Sequence, residues 1–467
     1  VPNHKNHQPH RQGGKNPQPA RKQPAKKKRG NWLWLGLGLT GVAVVSATAG
    51  ALLAVSLSTT PFLKQKLSPE EAAVFGNGDR FSSSNLRIPE LIRPVNILVM
   101  GMSVLSSDVD NPPPEQRDLG YKAQLNSFNG LADTMLLIRL DPIDKRISIL
   151  SIPRDTRVEL DEHGVQKINI TNRFGGPALT AKTVSELVEG IEIDRYIRVN
   201  VSGVEKLVDA LGGVTVFIPK DLKYTDESQH LYINLKQGKQ HLNGNQVLQL
   251  LRFRHDALGD LGRIQRQQMV MQALVEQSLT PATLSKIPDI LPVIQSYIDS
   301  NLTVEELLAV ASYGVKTPRD RIQKLILPGN FNGDGRNGVS YWLPSKRKIK
   351  AIAAQYFDQG EGSESGEKAT INPARLRIAI QDSTGNRAAV QALVRKLERA
   401  GYNGVYIAER LTEPLSVTRT IAQQGDEEAA KTVQTEIGLG EVRVESSGNV
   451  GSDVTIQLGK DWVQKQK

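Results

Sequence analysis

The sequence predicts an α/β protein: a layered α/β/α domain with a mixed central sheet, then a smaller C-terminal α/β domain, behind one N-terminal transmembrane helix. Three observations carry this reading. Short apolar runs such as Val95–Met100 and Arg146–Ile152 alternate with segments of helical periodicity, which is the pattern of a layered α/β domain. A second, shorter series of strand, turn, helix and strand occupies 375–461, behind an acidic Gly/Ser-rich linker at 358–374. Finally, Trp32–Leu57 runs for twenty-six residues without a charge, enough to span a bilayer with some tilt.

The chain has 467 residues, long enough for two or three domains with real cores. It has no cysteine, which excludes disulfides, thiolate catalysis and Cys-ligated metal and suits an exported protein. The formal net charge of +10 looks like a nucleic-acid signal until it is located. Residues 1–29 hold nine Lys/Arg and no acid, so the rest of the chain is close to neutral. We therefore read 1–31 as a basic, disordered cytoplasmic tail and expect no nucleic-acid partner. Residues 32–58 are the expected transmembrane helix. Trp32 and Trp34 sit at the interface and Lys26–Arg29 flank the cytoplasmic end, which places the main domains outside the cytoplasm. Within this apolar stretch, Gly36, Gly38 and Gly41 match the dinucleotide-binding glycine pattern, but no soluble strand precedes them.

Residues 59–93, with Pro61, Pro69 and Pro89, read as a stalk, and 94–357 as the main domain with a helical extension. Val95–Met100 reads as a buried strand. The following 103–130, with Pro112–Pro114, is a loop of a length that is usually functional or disordered. Met135–Leu140 and Arg146–Ile152 are expected to form a hairpin around Asp141–Lys145. Beyond it come a helix over Thr180–Glu189 and a strand over Arg195–Val201. A helix over Val204–Leu211 closes at Gly212-Gly213, and Val214–Ile218 is a further strand. Thr303-Val-Glu-Glu306 is a capping-box pattern opening a helix, and 283–357 is expected to be more helical than the part before it. Asn330–Gly335 resembles half a calcium loop, but Tyr341 stands where the bidentate Glu belongs, so a turn is the better reading.

The stretch Leu250–Gln267 carries Arg252, Arg254, Arg263 and Arg266 with Asp256 and Asp260 between them. If Gln249–Arg254 is a strand, Arg252 and Arg254 share a face. If a helix starts near Asp260, Arg263 and Arg266 share one too, in first turns that favour anions. Planar guanidinium forks suit phosphate oxygens. The competing reading is an internal Arg–Asp network that ties one element to the next.

Several stretches together resemble the LytR-CpsA-Psr family. They are Val95–Gly101, Ala132-Asp133-Thr134-Met135, Ser151-Ile-Pro-Arg-Asp155, Lys167-Ile-Asn169, Leu207–Gly213 and the run from Arg252 to Gln267, in family order. Residues 375–460 are similar to the C-terminal domain that often follows. The resemblance implies a membrane-anchored transferase that moves a glycopolymer from a polyprenyl-pyrophosphate carrier to a peptidoglycan sugar hydroxyl, usually with Mg2+. It implies that Arg154, Arg252, Arg254, Arg263, Arg266 and Gln267 surround the pyrophosphate, and that Asp133 helps hold the metal with Ser103. Asp155 and Asp260 either orient arginines or accept the proton of the attacking hydroxyl; orientation is the reading for Asp260, and Asp155 stays open.

The sequence departs from the family pattern twice. Ser103 stands where the first strand usually ends on Asp, and Leu131 where an Arg usually precedes Ala132-Asp133. Asp108 or Asp110 could restore the carboxylate, and Lys122 or Arg117 the cation. These departures favour an alternative of another class, a non-catalytic binder of lipid-linked polymer.

Overall fold

The apolar runs of the main domain form strands because alternate residues have a helix layer to face on each side of one sheet. The computed structural model describes residues 61–466 except 62, 65, 77–79, 83–88, 104–127, 228–230, 254–265, 267–268, 271–272, 275–276, 278–285, 334–338, 359–371, 424, 446 and 450. In chain order the strands are β1 (Val95–Ser103), β2 (Leu131–Asp141), β3 (Arg146–Ile152), β4 (Arg157–Leu160), β5 (Gly164–Lys167), β6 (Arg195–Val199) and β7 (Val214–Ile218). They continue with β8 (Leu222–Asp226), β9 (Leu231–Leu235), β10 (Gly238–Leu242), β11 (Ile298–Ser300), β12 (Ile322–Ile326), β13 (Gly329–Phe331) and β14 (Trp342–Pro344).

Six of these make the central sheet, in the order β11-β6-β1-β2-β3-β12. It is mixed: β1 pairs with β2 and β2 with β3 antiparallel, whereas β1–β6 and β3–β12 are parallel. Leu98 and Met100 of β1 pack with Ala178, Ala181 and Val184 of the helix Thr171–Leu187. Val95 and Ile97, one residue out of phase, face Ala309 of the helix Val304–Lys316. Period-two alternation thus puts a helix on each face. That helix opens on the expected capping box, with Thr303 accepting from Glu306 N at 3.2 Å.

Several elements differ from the sequence reading, each for a local reason. The expected hairpin forms over Asp141–Lys145, with Lys145 left-handed at φ 52°. The helix expected from Thr180 is preceded by a short helical stretch from Thr171; Gly175 and Gly176, with non-helical backbone, kink the chain between them, and Pro177 opens the second stretch. Gln249–Arg252 are not in a strand: Gly244–Arg252 is a helix, opened by a capping box in which Asn243 and Gln246 cap each other's backbone. Val247 and Leu250 are its buried face. Arg252 therefore occupies a last helical turn, where the macrodipole favours a cation. Residues 283–357 hold the helices Ile287–Tyr297, Val304–Lys316 and Lys346–Phe357, as expected, and also supply β11 and β12, which complete both edges of the sheet.

The segment read as a stalk is packed onto the domain. The ring of Phe75 packs at a tilt 5.0 Å from that of Tyr196, and fully buried Phe81 lies under the guanidinium of Arg195 at 5.2 Å. Two aromatic anchors set in polar sequence escape a composition test. Among the described residues no helix is long and apolar enough to cross a membrane. Trp32–Leu57, the expected span, lies outside the described residues.

The C-terminal domain holds β15 (Arg377–Asp382), β16 (Gly404–Ile407), β17 (Arg419–Ala422), β18 (Glu441–Val444) and β19 (Val454–Leu458). They form one sheet in the order β16-β15-β19-β17-β18. Ser58–Lys467 is one compact unit. Lys324 of β12 bridges Glu445, just beyond β18, and the hydroxyl of fully buried Tyr356 donates to Gly425 O at 2.8 Å, so the two sheets meet edge to edge.

Because Phe81 fills a core position, Phe81→Ala should cost about 3–5 kcal/mol in chemical denaturation. A loss below about 0.5 kcal/mol, the size of an ordinary surface change, would mean that this segment is a spacer after all.

Candidate functional site

A one-residue slip between β1 and β2 builds the centre of the site. Gly101 pairs with Thr134 and Met102 with Ala132, so Asp133 is the extra residue of a β-bulge. Such bulges re-aim a side chain and recur beside active sites. Gly101 leaves the room this needs: a Cβ there would come within 3.1 Å of Thr134 Cβ.

The partner of Asp133 comes from the turn after β3. Pro153 O accepts from both Thr156 N at 3.0 Å and Thr156 Oγ1 at 2.6 Å, which curls Pro153–Thr156 tightly. The short 3-10 turn Ile168–Ile170 then docks on it: Ile168 N donates to Thr156 O at 2.8 Å and Asn169 N to Arg154 O at 3.2 Å. Side chains converge as a result. Arg154 Nη1 lies 3.3 and 3.4 Å from the two oxygens of Asp133, and Asn169 Nδ2 is 3.4 Å from Asp133 Oδ1. Asp155 is buried, with Lys167 Nζ at 2.6 Å from one oxygen and Arg154 Nε at 3.5 Å from the other.

Asp133, Arg154 and Asp155, expected together, are together. Two cations and two carboxylates interleave, and the half-exposed end is that of Lys167, whose side chain is 34 % accessible. Hard oxygen donors of this kind suit magnesium or calcium rather than a softer metal. Asp133 is a carboxylate that could supply one such oxygen, and in this structure its oxygens face Arg154 and Asn169. The only group of three acidic side chains close enough to share a metal among the described residues is elsewhere, at Asp141, Asp144 and Asp358, and Arg139 bonds to two of its members.

The arginine stretch is described in part. Arg252 ends its helix and is partly exposed. Arg266 is buried at 7 %, donates to Phe253 O at 2.5 Å and stacks over the Phe253 ring at 5.5 Å, so it braces its own segment. Arg254, Asp260, Arg263 and Gln267 lie outside the described residues, as do Asp108, Asp110, Arg117 and Lys122. Ser103 ends β1, and its register partner is Leu131. The two departures from the family pattern are thus one cross-strand pair, and an acid and a base are lost together.

Lys167 and Asn169 stood in the sequence only as motif members. Asn172, Arg198 and Asp299 were missed. The signal for Arg198 was its phase: in β6 it follows Tyr196 by two, so it points to the same buried side.

A mixed-sheet α/β/α domain with a carboxylate on a strand bulge, held by an arginine from the next turn, defines the class. The chain matches the LytR_cpsA_psr family over residues 64–358 and, over 375–462, the domain described as LytR cell envelope-related transcriptional attenuator. It belongs to the LytR-CpsA-Psr family. It is 30 % identical over 300 residues to the polyisoprenyl-teichoic acid–peptidoglycan teichoic acid transferase TagV of Bacillus subtilis, covering 62 % of this chain and 71 % of that protein. Identity to the transferase of the same description TagU of Oceanobacillus iheyensis is 29 %, over 70 % of this chain and 94 % of that protein. The regulatory protein MsrR of Staphylococcus aureus is 32 % identical over 42 % of this chain and 59 % of its own length.

Since Ser103 and Leu131 are register partners, Ser103→Asp and Leu131→Arg should couple. A double-mutant cycle by denaturation should give about 0.2–1 kcal/mol of favourable interaction. Strict additivity would show that the two positions do not face each other.

Proposed function

We propose that this protein transfers a glycopolymer from a polyprenyl-pyrophosphate carrier to a peptidoglycan sugar hydroxyl. In this reading it works at the outer face of the cytoplasmic membrane, anchored once through Trp32–Leu57 with its N-terminus inside. The observation that carries the proposal is the placement of Asp133 on a bulge against Arg154. The transferase names of TagV and TagU support it.

The chemistry is displacement at phosphorus. The acceptor oxygen bonds to the phosphorus that bears the glycan, the bond from that phosphorus to the bridging oxygen breaks, and polyprenyl monophosphate leaves. Such a reaction asks the protein chiefly for position and charge. Arg154, Arg252, Arg254, Arg263 and Gln267 are assigned to the diphosphate. Arg266, expected beside them, supports the segment from behind by bracing Phe253. Asp260 orients arginines.

Asp155 was open between orienting and accepting a proton. Each of its oxygens faces a cation, so we assign it to holding Arg154 and Lys167. The hydroxyl proton leaves with the polyprenyl monophosphate, whose newly freed terminal oxygen is the basic group that the reaction itself creates.

Asp133 fits magnesium, which often takes one carboxylate and leaves the rest of its shell to phosphates and water, with Ser103 at the neighbouring strand end as the second protein ligand. Bound there, the ion would neutralise phosphate oxygens. Arg154 would then be released in part from Asp133 toward the diphosphate. A second reading, binding without turnover, is favoured by the neutral Ser103–Leu131 pair.

The full chain in vesicles, given a polyprenyl-pyrophosphate glycan, peptidoglycan and magnesium, should release polyprenyl monophosphate. Arg154→Ala and Arg263→Ala should each reduce release by at least about 100-fold, the scale of removing one donor from a transition-state charge. Undiminished release in both variants would remove the site. Tight binding with no release by the unmutated protein would select the second reading.

A further inference from the structure

The strand that carries Asp133 begins at a buried charge network, and that network reaches far along the chain. Arg198 of β6 is 1 % exposed and its partner Asp299, in β11, is fully buried. Arg198 Nε and Nη2 lie 2.7 and 2.6 Å from Asp299 Oδ2. The other oxygen of Asp299 accepts from Lys64 N at 2.6 Å. Arg198 Nη1 turns the opposite way and donates to Asn172 Oδ1 at 3.2 Å and Phe128 O at 3.3 Å. Asn172 Nδ2 completes the set: it is 2.8 Å from both Phe128 O and Gly130 O, and 3.3 Å from Met102 Sδ. The guanidinium lies over the Phe128 ring at 5.5 Å.

A buried ion pair of this kind is poorly explained by stability. Apolar residues of similar volume are often as stable, because both charges lose their water. What an apolar pair lacks is direction. Here the directed bonds end on Phe128 and Gly130, and Leu131, Ala132 and Asp133 follow immediately. Met102, across the bulge, is the neighbour of Ser103.

We propose that Arg198, Asp299 and Asn172 are positioning residues of the site: they fix the start of β2 and thereby set where Asp133 presents its carboxylate. They touch neither Asp133 nor Arg154 in any bond described above, and act through the backbone of Phe128–Gly130. Loss of the network therefore moves the reacting geometry and leaves the diphosphate-binding arginines in place. The catalytic part of this inference rests on the transferase reading; the positional part does not.

The test uses the full chain with two variants. Arg198→Met/Asp299→Leu replaces the pair by apolar residues, and Asn172→Asp keeps the acceptor for Arg198 while removing both donations to carbonyls. Amide hydrogen exchange over 129–135 should accelerate about tenfold or more in each, with β3 unchanged, as local opening does. In the transfer assay the turnover number should fall about 10- to 100-fold, with KM for the lipid-linked glycan within about threefold, as for a small misplacement of reacting groups. Unchanged exchange over 129–135 in a folded variant overturns the proposal, and so does an equal acceleration throughout the sheet. If the double variant does not fold, Asn172→Asp decides alone. Absence of turnover in the unmutated protein would refute the transferase reading, while the exchange result would still decide whether the network positions Asp133.

Discussion

The slip of one residue between β1 and β2 is the constraint on which the site depends. Without it Asp133 would lie in the ladder with its neighbours; with it, the carboxylate turns out at the sheet's end toward Arg154. Everything nearby serves that placement. Gly101 makes room for Thr134, the tight turn at Pro153–Thr156 brings Arg154 round, and Ile168–Ile170 pins that turn from the other side. The site is assembled from backbone geometry first and charge second.

The charge arrangement has its own logic. Asp133 with Arg154 and Asp155 with Lys167 form a nearly balanced cluster. A balanced cluster attracts no strong anion by itself. On the proposed function, a doubly charged diphosphate calls for further cations, and the arginines between Leu250 and Gln267 are the ones the proposal assigns to it. The paired exchange to Ser103 and Leu131 fits this economy, because removing an acid and a base opposite one another leaves the sum of charges unchanged.

Much of this was legible in the sequence. The strands Arg146–Ile152 and Val214–Ile218 follow from apolar alternation, and the helix after Thr303 from its capping box, because those signals are local. Asp133, Arg154 and Asp155 were found through motif order. The rest was hidden for physical reasons. The helix Gly244–Arg252 is not distinguished from the conditional strand over Gln249–Arg254 by its apolar run, which suits either element; its signal is the capping pair Asn243 and Gln246. Phe75 and Phe81 anchor a polar segment whose composition resembles a spacer. Arg198 and Asp299 lie 101 residues apart, and no local pattern joins them.

The central claim is that the carboxylate on the bulge takes part in transfer. Release of polyprenyl monophosphate by Asp133→Asn, measured with magnesium beside binding of the same lipid-linked glycan, tests it most directly. The account predicts that release falls by at least about 100-fold, as when one preorganised charge is lost from a transition state, while binding is retained. Release equal to that of the unmutated protein would contradict it.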